Sequence, residues 1–142
     1  MERKIKFRVW DEDRKEILFP DRGTRYAISL NGTIEKYIPR CQSLYAEDWR
    51  ANCEAHFITL NVVLMQFTGL QDKNGKDIYE GDIVKLTQGH NEIQEVEWGT
   101  CLWRLKEEDE DAYHIDLATA RVLGAMVIGN IYDNPELLKE NK

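Results

Sequence analysis

Lys4, Lys6, Arg8 and Trp10 recur at every second position near the N-terminus. In an extended strand they share one side, where three cations could grip phosphates and an aromatic could stack on a base. Arg22 and Arg25 follow closely enough to extend that basic face. The same row also describes a solvated strand face, or a guard against edge pairing. The net charge of −7 favours that second description.

Other chemistry-bearing residues are scattered. Lys106–Asp111, KEEDED, sets five carboxylates after one lysine. Oxygen ligands of this kind could hold a divalent cation, but the run lacks the alternating geometry of a calcium loop. Adjacent like charges repel, and a solvated loop is the expectation. Cys41, Cys53 and Cys101 are odd in number and irregular in spacing, which argues against both a disulfide framework and a zinc site. His56, His90 and His114 form no paired spacing and read as surface residues. No nucleophile elbow, His-Glu-x-x-His or Cys-His signature is present. No catalytic, cofactor-binding or metal-ligating residue is therefore assigned.

Tyr45 and Trp49 stand four apart in RCQSLYAEDWRANCEAH, residues 40–56. That segment has no Gly or Pro and reads as a short helix or a long loop. With Trp103, the two aromatics are candidates for a partner-binding patch, although a core-facing stripe would look the same.

These residues need a scaffold. A chain of 142 residues suits one domain, residues 1–142, able to bury a real core. Hydrophobic content of 42% and charged content of 32% are globular values. No apolar run is long enough to span a bilayer, and no signal-like core follows the start, so a cytoplasmic location is expected. Residues 1–40 carry ten basic and seven acidic groups; residues 107–142 carry three and nine. That asymmetry would suit self-association and weighs against general nucleic-acid binding.

The scaffold reads as β throughout. Ile5, Phe7 and Val9 alternate with the cations and would face the core. Asp11–Glu16 is a turn, and Ile17-Leu18-Phe19 begins the return strand. Asn31-Gly32 predicts a hairpin between residues 26–30 and 33–38, ended by Pro39. Residues 57–67 lead into QFTGLQDKNGKDIYEGDIV, residues 66–84, the turn-rich centre of the chain. Asn74-Gly75 predicts a type I′ hairpin there. Gly81 marks a sharp bend, and Asp82 can bond nearby backbone amides. Residues 93–98 and 101–105 form another hairpin, with Trp98 and Trp103 beside its turn. Residues 113–122 fit strand and helix equally. Residues 125–132 are the last strand, and Asn134 with Pro135 opens a short helix to Glu140.

The central stretch, Gln66-Phe67-Thr68-Gly69-Leu70 with Asp72–Lys76 and Ile78–Val84, resembles the signature of the YopX family. Ile5–Asp11 is similar to that family's start, and Val127–Leu138 to its end. Phe67 stands where the family often has Tyr, and Met126 where Glu is common. Residues 20–56 and 86–124 match no family pattern. The resemblance implies a phage or prophage origin, a bacterial host cell and a mainly β fold. It carries no established activity.

The expectation is a mainly β fold: a small SH3-like or partly open β-barrel with hairpin elaborations and a short C-terminal helix. The leading functional expectation is a non-enzymatic phage or prophage accessory protein. It would act by binding a phage or host protein, or by assembling as a homo-oligomer, with no cofactor and no membrane. The alternatives are a nucleic-acid-binding barrel using the basic N-terminal face, and an enzyme acting on nucleic acid or nucleotide. The latter needs a cleft with convergent carboxylates.

Overall fold

A computed structural model describes residues 5–18, 25–29, 33–41, 53–88, 92–107 and 114–139; for residues 25, 37–41 and 53–58 it gives the backbone alone. The expected helix over residues 40–56, with Tyr45 and Trp49, lies mostly outside these residues, as do Lys4, Arg22, His90 and residues 108–111.

The strands in chain order are β1 (Phe7–Asp11), β2 (Glu16–Leu18), β3 (Arg25–Ile28), β4 (Ile34–Cys41), β5 (Cys53–Thr59), β6 (Val62–Gln71), β7 (Asp77–Tyr79), β8 (Asp82–Lys85), β9 (Ile93–Trp98), β10 (Trp103–Leu105) and β11 (Met126–Asn130). One α-helix, α1 (Leu117–Val122), and a 3₁₀ turn, Pro135–Leu138, complete the described elements. Three antiparallel sheets run β2-β1-β6-β7, β10-β9-β8-β11 and β3-β4-β5. The fold is mainly β and curls into a half-barrel, as a partly open barrel requires.

β6 joins the parts. Val62–Gln66 pair with β1, and Phe67 and Gln71 pair with Tyr79 and Asp77 of β7, with a register shift between them. The hairpin that follows is not type I′. Gly75 has φ 84°, but Asn74 does not share the positive φ that such a turn needs. Instead Gly75 N–H donates to Asp72 C=O, and Asp72 N–H donates to Lys76 C=O. A turn from Asp72 thus closes on a left-handed glycine, the longer loop form with a bulge.

β8 is buried at Asp82, Ile83 and Val84, so both its faces are covered. On one side Ile78, Val84, Val96, Leu105, Leu117, Ala120 and Val127 form the main core. On the other, Trp10, Met65 and Ile83 are buried. α1 settles the second half of the ambiguous segment, from Leu117, as helix: Asp116 accepts the Thr119 N–H as N-cap, and Leu117 and Ala120 face the core.

Three further expectations are corrected. β4 runs through Pro39 to Cys41, and β5 begins at Cys53, so strands take both ends of residues 40–56. The short final helix is present but is a 3₁₀ helix ending at Leu138, with Pro135 at its start, and Asn134 makes no side-chain cap. The alternation of β1 is right, but its phase is reversed. Phe7 is 40% exposed and Ile5 68%, whereas Trp10 is 2% exposed.

Candidate functional site

The reversed phase of β1 decides what its cations do. Because Trp10 and Met65 fill the inner face, Lys6 and Arg8 also point inward. Lys6 lies 4.9 Å from the centroid of the Phe67 ring, and its ammonium meets Asp77 Oδ2 at 2.5 Å. That hydrogen bond holds the Lys6 pKa above its ordinary value, against the burial that lowers it. Arg8 lies 4.7 Å over the Tyr79 ring, and its guanidinium pairs with Asp82 Oδ1. Trp10 stacks on Tyr132 with 5.9 Å between ring centroids. The structure brings these three candidates together, but Lys6 and Arg8 are ion-paired within the chain and Trp10 is buried. For Arg25 only the backbone is described, in β3.

Asp82 is the far end of the Arg8 pair and is 1% exposed. Its second oxygen accepts the Tyr79 N–H at 2.8 Å, so the carboxylate also fixes the Glu80-Gly81 turn. Burial pushes its carboxyl up; the Arg8 charge and the Tyr79 N–H oppose that without cancelling it. Asp77 likewise has both oxygens engaged, by Lys6 and by Gln71 Nε2 at 2.9 Å. The sequence marks Asp82 as a turn residue. Nothing local marks it as the partner of Arg8, 74 positions away.

Both pairs line an open cleft of about 1030 Å³, together with Phe7, Ile128, Asn130 and Asp133. Asn130 Oδ1 accepts the N–H groups of Tyr132 and Asp133 at 3.0 and 2.9 Å and so fixes the turn that lines it. The carboxylates of Asp77 and Asp82 therefore offer the cleft no unengaged oxygen. Among the described residues no group of three His, Cys, Asp or Glu side chains is placed to hold a metal ion.

A second surface lies on the β9–β10 hairpin. Trp103 sits directly opposite Trp98, and the rings meet edge to face at 4.9 Å. Trp98 is 50% exposed and Leu102 42% exposed. With Leu70, Cys101 and Ala118 they line a shallow groove of about 370 Å³. The base of the hairpin is braced by Arg104, which donates to Glu97 Oε1 from Nε and Nη2 at 2.8 and 2.7 Å. His114 lies in a recess beside Glu97, Arg104 and Glu107, with its Nδ1 buried and unpartnered among the described residues. Of the partner-binding candidates, Trp103 is the one that lies among the described residues, and Trp98 and Leu102 are exposed beside it.

The chain is similar in structure to protein EF1440 from Enterococcus faecalis, with a TM-score of 0.59 and 26% identity over 96% of this chain and 99% of that one. It is similar also to protein yopX from Bacillus subtilis, with a TM-score of 0.57 and 25% identity over 93% and 96% of the two chains. No curated protein matches. The family model described as YopX protein matches residues 6–139, and the chain belongs to the YopX family.

Proposed function

We propose that this chain is a phage or prophage accessory protein, acting in the bacterial cytoplasm by binding another protein without chemistry of its own. The observation that carries the reading is the exposed aromatic hairpin. Trp98 and Leu102 are half exposed over a braced strand pair, and tryptophan in such a setting is a common interface anchor. The nucleic-acid reading loses its chief support, since Lys6 and Arg8 are ion-paired and Trp10 is buried. Among the described residues no helix is long and apolar enough to cross a membrane.

The test is a tagged pull-down from cells carrying the parent phage, with and without nuclease, using wild type and Trp98→Ser. A stoichiometric protein that survives nuclease and is lost with Trp98→Ser supports the reading. Recovery of the chain's own second copy alone converts it to self-assembly as a homo-oligomer. Recovery that vanishes with nuclease overturns it.

A further inference from the structure

The tryptophan pair stands where the core face of its hairpin runs out. By alternation Trp98 and Trp103 share a face with Val96 and Leu105, which are fully buried. Trp103 still packs against the core, whereas Trp98 is half exposed beyond it. Neither indole N–H has an acceptor among the described residues. The free side of β10 is already closed: Leu105 N–H donates to Ile115 C=O at 2.9 Å, and Arg104 bridges to Asp116. Asp116 also lines the groove. Its oxygens accept the hydroxyl and the N–H of Thr119, which hold its carboxyl below the ordinary value, so it is charged at neutral pH. Arg104, opposite, is taken by Glu97, and among the described residues no cation pairs with Asp116.

We propose that this groove takes a proline-rich segment of a partner protein, in polyproline II conformation, with an arginine or lysine beside the prolines. The closed side of β10 leaves no ladder for a guest strand to join. A guest helix uses its carbonyls in its own hydrogen bonds, whereas a polyproline II segment leaves them free for the two indole donors. Its conformation is set before binding, which lowers the ordering cost on an aromatic surface. A groove of about 370 Å³ has room for about one turn, three residues long. Asp116 supplies the counter-charge for the basic residue. The same charge, in a chain of net charge −7, opposes the phosphates of a single-stranded nucleic acid, the other ligand that stacks on tryptophan.

The inference rests on the protein-binding reading of this hairpin and names its guest. The probe is a fluorescein-labelled hexaproline followed by two arginines. One control replaces the prolines with glycines, and a second replaces the arginines with glutamates. Binding is read by anisotropy, and the indole N–H signals are followed by NMR. The proline-arginine peptide should bind about tenfold or more tightly than the glycine control, from its fixed conformation. It should bind about threefold or more tightly than the glutamate control, as an accessible charge pair allows. Trp98→Ser should weaken it at least about tenfold. Asp116→Asn, which keeps a good N-cap residue, should erase the preference for arginine and leave that for proline. The indole signals of Trp98 and Trp103 should shift on binding while that of buried Trp10 stays in place. Equal binding of the proline and glycine peptides, full binding by Trp98→Ser, or unmoved Trp98 and Trp103 signals would overturn the proposal. A partner recovered from cells and lost with Trp98→Ser, when the proline peptide does not bind, would overturn this inference and leave the protein-binding reading standing.

Discussion

Asp72 Oδ2 accepts the backbone N–H of Val127 at 3.1 Å, tying the central hairpin to a strand 55 positions later. The other oxygen, Oδ1, accepts the N–H groups of Asn74 and Lys76 at 2.8 and 2.9 Å. One buried carboxylate thus shapes the loop and fastens it to β11. The backbone adds Lys73 N–H to Ala125 C=O at 3.0 Å.

Asp72→Ala should cost about 3 kcal/mol, since it leaves three N–H groups without their acceptor, and charged hydrogen bonds are the stronger kind. Burial pushes the Asp72 carboxyl up, but the bonds from Lys76, Val127 and Asn74 together outweigh it and hold it below the ordinary value. A depressed carboxylate contributes stability at and above its unfolded pKa, and that contribution is lost as pH falls through the folded pKa. Urea midpoints from neutral pH down to about 3 should fall more steeply for wild type than for Asp72→Asn. Parallel slopes would show that Asp72 has no such role.

The Arg8–Asp82 pair has the opposite sign. Burial raises the Asp82 pKa, so its ionisation at neutral pH works against folding, and acidification through that raised pKa relieves it. Arg8→Met should cost about 3–5 kcal/mol at neutral pH, because it strands a buried charge. That deficit should shrink as pH falls, when a protonated Asp82 needs no counter-ion. The double variant Arg8→Met/Asp82→Asn should recover a substantial part of the loss. A double variant worse than the sum of the singles, by urea denaturation, would reject the account.

Gly81 turns β7 into β8 with φ 73°, and an added Cβ would lie 3.2 Å from Met65 Cε and 3.4 Å from Ile131. Gly75 has a similar φ of 84° but open space around it. Gly75→Ala should therefore cost only the left-handed conformation, about 1–2 kcal/mol. Gly81→Ala should cost more, by the packing that must give way. Equal losses in thermal or urea midpoints would mean that Met65 and Ile131 move aside freely.

How much of this was legible follows from the distance over which each feature is decided. The β9–β10 hairpin, the Gly81 bend and the last strand are set by residues within a few positions, and the sequence identifies them. The Asn74-Gly75 turn was legible in place but not in type, since Asp72 and the glycine share the closure. The phase of β1 was not legible. Period two is visible in Ile5–Trp10, but which face is buried depends on Met65, Phe67, Tyr79 and Asp82. The surroundings of Lys6 and Arg8 were hidden for the same reason. Lys6 and Arg8 look like free cations until Asp77 and Asp82 are brought to them through two other strands. Trp103 was found because it is an aromatic in a hairpin; its partner Trp98 was visible beside the same turn, but not its exposure.

The reversed phase gives the last prediction. If Ile5 and Phe7 faced the core, Phe7→Ser would be ruinous and Trp10 would tolerate change. The described packing requires the reverse. Trp10 is 2% exposed, with Tyr132 stacked on it, and Phe7 is 40% exposed. Trp10→Ala should cost about 3–5 kcal/mol, the loss expected for a buried aromatic. Phe7→Ser should cost about 1 kcal/mol or less, since part of its surface is already in water. Trp10 fluorescence should also be shielded from acrylamide while Trp98 is quenched, which single-tryptophan variants can separate. A Phe7 loss as large as that of Trp10 would restore the sequence-based orientation of β1, and with it a basic face open to phosphate.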